Sequence, residues 1–311
     1  MAAAPTRSAE SLAVPSGILL LDKPRGLSSN AALQRVRRLF NGEKAGHAGS
    51  LDPLATGMLP ICLGEATKIA GDIVAGAKRY RFTVDLGRRT ATGDAEGEVT
   101  GEAAVPELTR TGVEQLLQGF RGSRTQVPPM YSALKRGGEP LYRLARAGRT
   151  VERAPRAIEL YELVLRSVEP RALDIETRCS KGTYVRVLAE EIAAALGTLG
   201  YVAALRRLSV EPFGEEPMQP LEALERIGGE AAASALLPAD YPLRHLPAVH
   251  LTAADAARLR HGQVVPAALA ADSPSAEPRR LRLYDEAGRF LGVGVAVGTG
   301  AVRPRRLINL I

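Results

Sequence analysis

The chain has 311 residues, 45% of them apolar, and carries 41 Lys and Arg against 34 Asp and Glu, a net charge of +7 with a pI near 9.6. That length suits two domains of ~150 residues, or one large domain with a small appendage, and the cationic surplus favours an anionic partner such as nucleic acid or a membrane surface. Two distant cysteines, Cys62 and Cys179, and four histidines without an H-E-x-x-H spacing argue against a disulfide framework and against a metal site.

Residues 1–14 are rich in Ala and Ser and predict a mobile tail; they lack the apolar centre of a secretory leader. GILLLD (17–22) reads as a short buried strand. Ser28 or Ser29 can cap a helix running to about Phe40, with Leu33, Val36 and Phe40 on one face. Residues 42–57 hold four glycines and a proline and predict a shaped loop. MLPICL (58–63) then predicts a strand, and residues 64–76 an amphipathic helix. KRYRFTVDL (78–86) alternates polar and apolar residues as a half-buried strand does.

Further on, a turn-rich stretch leads to a helix near 113–119, and residues 127–150 mix Pro and Gly with a short helix over 140–147. Strands are expected at 157–168, 173–180 and 201–210, with a helix from Tyr184 to Gly197 between the last two. The absence of a regular βαβ period indicates an α+β fold with a mixed or antiparallel sheet. Prolines cluster from 212 to 247, and beyond them lies a β-rich module of about 65 residues with a capping box at Thr252 and Asp255, a Ser/Pro/Ala loop at 271–278 and two strands. The division is therefore a tail over 1–14, a main domain over 15–245 and a small domain over 246–311. LGVGVAVG (291–298) is far too short for the ~20 residues that span a bilayer, so a soluble, cytoplasmic protein is expected.

The stretch GHAGSLDPLATGMLP carries the clearest chemical signal. Asp52 precedes a proline, which biases it to extended backbone, and Gly46, Gly49 and Gly57 allow sharp turns and close approach. By spacing alone Asp52 reads as readily as a turn residue as a reactive one, and His47 as a loop histidine bonded to backbone. Tyr80, flanked by Lys78, Arg79 and Arg81, suits stacking on a base beside phosphates, or packing in the core. Arg186, in CSKGTYVRVLAEEI, offers the planar fork that grips a carboxylate at two points.

From Gly17 to Tyr80 the blocks GILLLDKPRGLSSN, AGHAGSLDPLATGMLPICLGEATK and KRYRF closely resemble the TruB family of bacterial tRNA pseudouridine-55 synthases. PPMYSALKRGGEPLYRLAR, CSKGTYVR and LRRL continue the match in the same order to about residue 210, and the last module is similar to the family's PUA-like RNA-binding domain. The resemblance implies a pseudouridine synthase catalytic domain that breaks the N1–C1′ bond of a uridine, turns the base and joins C5 to C1′, with no cofactor and no metal. It implies Asp52 as the catalytic carboxylate and Arg186 as its partner. His47 would stabilise the flipped-out state, Tyr80 would stack on the target base, and Tyr184 and Leu205 would line the substrate pocket. Lys23 would support the pocket. The implied partner is the TΨC stem-loop of tRNA, bound by a monomer.

The chain departs from common family wording at Ala48, Ser50 and Ala204, all small replacements. The pairs Arg37/Arg38, Arg206/Arg207, Arg279/Arg280 and Arg305/Arg306 are candidate phosphate contacts if they cluster. The alternatives are a noncatalytic tRNA-binding or folding chaperone, a synthase guided to another uridine by partner proteins, and a membrane-surface protein, for which no amphipathic anchor is visible.

Overall fold

A computed structural model of the protein describes residues 16–42, 44–214, 216–269 and 279–309. The expected tail at 1–14 and the loop at 271–278 lie outside the described residues. The chain opens with β1 (Gly17–Lys23) and α1 (Ser29–Leu39). Ser28 is the cap, its Oγ accepting the Ala31 N–H at 3.1 Å, which answers one of the open donors at a helix start. Next come β2 (Ala45–His47), β3 (Thr56–Leu63), a 3-10 turn over Gly64–Ile69 and the short α2 (Ala70–Ala75). One continuous helix over 64–76 was the expectation. Instead Thr67 Oγ1 donates to the Gly64 carbonyl at 2.8 Å and the first turns wind tighter.

After β4 (Lys78–Leu86) comes a ribbon of β5 (Arg88–Thr90) and β6 (Val99–Glu102), then α3 (Arg110–Gln118) and β7 (Gly122–Gln126). A basic segment holds the two-residue strands β8 (Lys135–Arg136) and β9 (Glu139–Pro140) and helix α4 (Leu141–Arg146). β10 (Arg156–Glu169), β11 (Ala172–Cys179), α5 (Val185–Ala195) and β12 (Gly200–Val210) follow. The proline-rich stretch forms β13 (Gln219–Pro220) and α6 (Leu221–Ala232).

These strands make one nine-stranded sheet in the order β13-β1-β3-β12-β4-β11-β10-β7, with β2 also on β3. Only β13/β1 and β3/β12 pair in parallel, so the architecture is α+β with a mixed, mainly antiparallel sheet. Side chains of α1, α3, α5 and α6 cover one face and share a core with Leu19, Leu59, Ile61, Phe82 and Val84. The loop before β3, expected to be irregular throughout, gains β2 because Ala45–His47 lies in register with Leu63–Ile61.

The last residues form a second, five-stranded sheet, β14-β16-β17-β18-β15, from β14 (Ala248–His250), β15 (Val265–Pro266), β16 (Arg280–Tyr284), β17 (Phe290–Val297) and β18 (Ala301–Leu307), with α7 (Ala253–Arg260) beside it. Thr252 caps α7, accepting the Asp255 N–H at 3.1 Å. Phe290, Val293 and Ile308 of this module cluster with Ile18, Leu20, Met58 and Cys62 of the main sheet and with Ile73 of α2. β1 and β3 are thus covered on both faces, which explains their unbroken apolar runs. β4, β10 and β11 bury one face and show ion pairs on the other, such as Arg81–Asp174 at 2.5 Å and Arg79–Glu176 at 2.8 Å. Among the described residues no helix is long and apolar enough to cross a membrane.

Candidate active site

The loop between β2 and β3 carries Asp52 and is pinned from several directions. Ser29, turned inward beside the capping Ser28, donates from Oγ to the Leu51 carbonyl at 2.9 Å and accepts the Leu51 N–H at 2.7 Å. Lys23, fully buried at the end of β1, donates from Nζ to the carbonyls of Pro24 (2.8 Å), Leu27 (2.7 Å) and Pro53 (3.4 Å). Burial pulls its ammonium down to about 8, against the opposing charges of Glu96 and Asp52. Gly26 N–H adds a bond to the Pro53 carbonyl at 2.8 Å.

Arg186, in the first turn of α5, meets the Asp52 carboxylate at two points: Nε to Oδ2 at 2.9 Å and Nη2 to Oδ1 at 3.3 Å. Its other donors reach the carbonyls of Thr92 (2.8 Å) and Tyr131 (2.7 Å). Asp94, itself buried, lies 3.7 Å from Nε and is held by Thr92 Oγ1 at 2.6 Å. The guanidinium side chain is only 6% exposed, whereas that of Asp52 is 39% exposed. The carboxylate therefore sits deep among protein atoms yet open to an incoming molecule. Burial pushes the Asp52 carboxyl above its ordinary range; Arg186 opposes that, and the like charge of Asp94 adds to it.

Start-of-helix geometry aims Arg186. Tyr184, the residue before α5, is clasped through its backbone by the buried Gln126, whose Oε1 accepts the Tyr184 N–H at 3.0 Å and whose Nε2 donates to its carbonyl at 3.3 Å. Tyr80 lies half-buried on β4 against the main core, its phenol pushed up by burial and drawn back by Arg207. Leu205, on β12 opposite Phe82, lines a cleft of about 360 Å³ with Arg25, Leu54, Arg81 and Arg206. His47 lies on β2, its ring held neutral by burial and by the charge of Arg207, and among the described residues no hydrogen bond joins it to Asp52. The structure thus joins Asp52 and Arg186 directly, places Lys23 one residue from Asp52 through Pro53, and sets Tyr80, Tyr184 and Leu205 on elements around the same loop.

Of the four basic pairs, Arg206/Arg207 needs correction. Arg207 is 1% exposed and cannot reach a phosphate, because β12 turns it into the core; Arg206 faces the cleft and pairs with Asp22 at 2.8 Å. Arg280, Arg305 and Arg306 gather with Lys68 around a second cleft of about 380 Å³ between the α2 segment and the small sheet. Ser29, Asp94 and Gln126 were not legible as site residues, and Arg207 was legible only as half of a basic pair, for a role its burial rules out. Each acts through a contact distant in sequence, and none stands in a spacing that marks it.

The fold that carries this carboxylate, gripped by a buried arginine, is that of the pseudouridine synthases. The same fold occurs in the structure of an H/ACA RNP bound to a substrate RNA containing 2′-deoxyuridine (TM-score 0.71, 21% identity, 96% of this chain and 87% of that one) and in a Cbf5-Nop10-Gar1 complex (TM-score 0.69, 23% identity, 96% and 85%). Residues 37–185 match the TruB family pseudouridylate synthase N-terminal domain, and residues 247–308 match the pseudouridine synthase II TruB C-terminal domain. The chain is 49% identical to the tRNA pseudouridine synthase B of Chromohalobacter salexigens over 296 residues, 94% of both chains. It is also 49% identical to that of Pseudomonas aeruginosa over 299 residues, 94% of this chain and 96% of the other. The chain belongs to the TruB family.

Proposed function

We propose that this isomerase converts uridine 55 in the TΨC loop of tRNA to pseudouridine, with Asp52 as the reacting carboxylate. The observation that carries the reading is the two-point Asp52–Arg186 pair, whose carboxylate stays partly exposed while its partner is sealed. A protein that only bound tRNA would gain nothing from a partly exposed carboxylate on its binding surface, since its charge repels the phosphates. The relatives named for tRNA pseudouridine synthesis supply the substrate class.

The target base must leave its stack before it can meet Asp52, and extrusion costs a few kcal/mol. Tyr80 offers a face for the extruded base, and His47, neutral at the rim, fills the space that the base leaves. Leu205 and Tyr184 close the pocket walls. Lys23 acts from beneath, by fixing the backbone next to Asp52. Breaking N1–C1′ and joining C5 to C1′ moves one proton from C5 to solvent and one from solvent to N1, so the reaction balances without a redox step. Arg143, Arg146 and Arg149, exposed on the segment whose Tyr131 carbonyl accepts from Arg186, supply phosphate contacts, as do Arg305 and Arg306 at the second cleft.

The test is mapping pseudouridine in an unmodified tRNA transcript incubated with the purified protein. Conversion at position 55 is expected, with Asp52→Asn binding the RNA but losing on the order of 10⁴-fold or more in turnover. Undiminished turnover by that variant would remove Asp52 from the chemistry; binding without conversion by the native protein would favour the chaperone.

A further inference from the structure

Arg207 is among the largest fully buried side chains, and the loop that carries Asp52 is shaped around it. Its Nε donates to the Met58 carbonyl at 2.6 Å, Nη2 to Gly49 at 3.0 Å and Nη1 to Ser50 at 3.4 Å. Gly57, at the start of β3, lets the backbone of β12 approach: a Cβ there would lie 2.2 Å from the Arg207 backbone carbonyl. A Cβ on Gly49 would only touch the guanidinium, 3.5 Å from Nη1, and what calls for glycine there is its φ of +97°. On the antiparallel partner strand the residue directly opposite Arg207 is Tyr80. Cross-strand partners share a face with Cβ atoms about 5 Å apart, so the buried guanidinium and the Tyr80 side chain lie on the same side of the sheet, and the positive charge favours the ionised phenol of Tyr80 against its burial.

Among the described residues, no carboxylate oxygen comes within ion-pairing distance of this guanidinium. A buried cation without an anion is costly, and a core packed for stability alone would place an apolar side chain there. Its guanidinium is instead bonded to the Asp52 loop and the start of β3, and it stands across the strand pair from Tyr80.

We propose that Arg207 is a positioning residue for the isomerisation: one buried guanidinium, bonded to the Gly49 and Ser50 carbonyls of the Asp52 loop and to Met58 on β3, also engages the phenol end of Tyr80 across the strand pair, setting the reacting carboxylate and the stacking ring at a fixed spacing. The proposal rests on the function inferred above for Asp52 and Tyr80. It accounts for an arginine turned inward beside an outward one.

The test is a double-mutant cycle under single turnover with unmodified tRNA, using Arg207→Lys, Tyr80→Phe and the pair. Lysine keeps the charge but cannot bridge three carbonyls and a phenol. Arg207→Lys is expected to lower the rate at least 100-fold with RNA affinity within threefold, and to lower it less than tenfold further when added to Tyr80→Phe. A rate within threefold of native, or losses that simply multiply, would overturn the proposal. If Arg207→Lys does not fold, amide exchange in Tyr80→Phe decides: faster exchange at Ala48 and Ala55 supports the tie, and unchanged exchange overturns it. The Asp52→Asn variant run in parallel separates the two readings. Should it stay active, the assigned function falls; should it be dead while Arg207→Lys works normally, only the positioning role falls.

Discussion

A carboxylate that is to react must be both ionised and held, and at Asp52 these needs oppose each other. Burial and Asp94 favour its neutral form, and Arg186 favours the charged one, with the outcome above the ordinary carboxylate range. A group whose folded pKa is raised contributes stability that is fully present below its unfolded value of ~3.9 and is lost as pH rises through the folded value. An ionised Asp52 therefore costs stability at neutral pH. Asp52→Asn, a neutral mimic, is expected to raise Tm at pH 7 while abolishing turnover, with the Tm difference vanishing below about pH 4. Thermal melts across pH check this, and a lower Tm at pH 7 would show that Arg186 outweighs burial. For the same reason, turnover in the native protein should fall on acidification with an apparent pKa above that of a free aspartate.

Adjacent serines at the start of α1 separate helix stability from loop geometry. Ser28 faces out and caps the helix, so Ser28→Ala should cost ~1 kcal/mol and leave turnover unchanged. Ser29 faces in and satisfies both polar groups of the Leu51 backbone. Ser29→Ala leaves them buried and unmet, at about 1–3 kcal/mol. It should also let Asp52 drift, and since a misplacement of about 1 Å can lower rates on the order of 100-fold, kcat is expected to fall between 10- and 100-fold with RNA affinity retained. Denaturant melts and single-turnover rates on the two variants check the contrast; equal effects would mean that the loop does not depend on this contact.

At the scale of the molecule the two sheets share a core, because the even side chains of β1 and β3 point to the small module and the odd ones to the helices. Separate cores would unfold in separate steps, whereas a shared one couples them. Phe290→Ala, which empties a buried position in the shared cluster, should cost about 3–5 kcal/mol and lower a single calorimetric transition. Two resolved transitions, with only the lower one displaced, would show that the small module melts independently.

The amino-acid sequence by itself determined the elements whose pattern is local: the buried runs of GILLLD and MLPICL, the one-sided alternation of KRYRFTVDL, a serine cap at 28 or 29 and the cap at Thr252, and the Gly- and Pro-shaped loop of Asp52. Side-chain period and turn chemistry are written in neighbouring residues and survive without knowledge of the fold. Only the tertiary structure decided that Ser29 rather than its neighbour faces the loop, that Arg207 is buried while Arg206 meets solvent, and that Asp94 and Gln126 stand behind Arg186. Each of those outcomes depends on strand register and on carbonyls from distant segments, and a backbone acceptor carries no side-chain identity by which sequence could announce it.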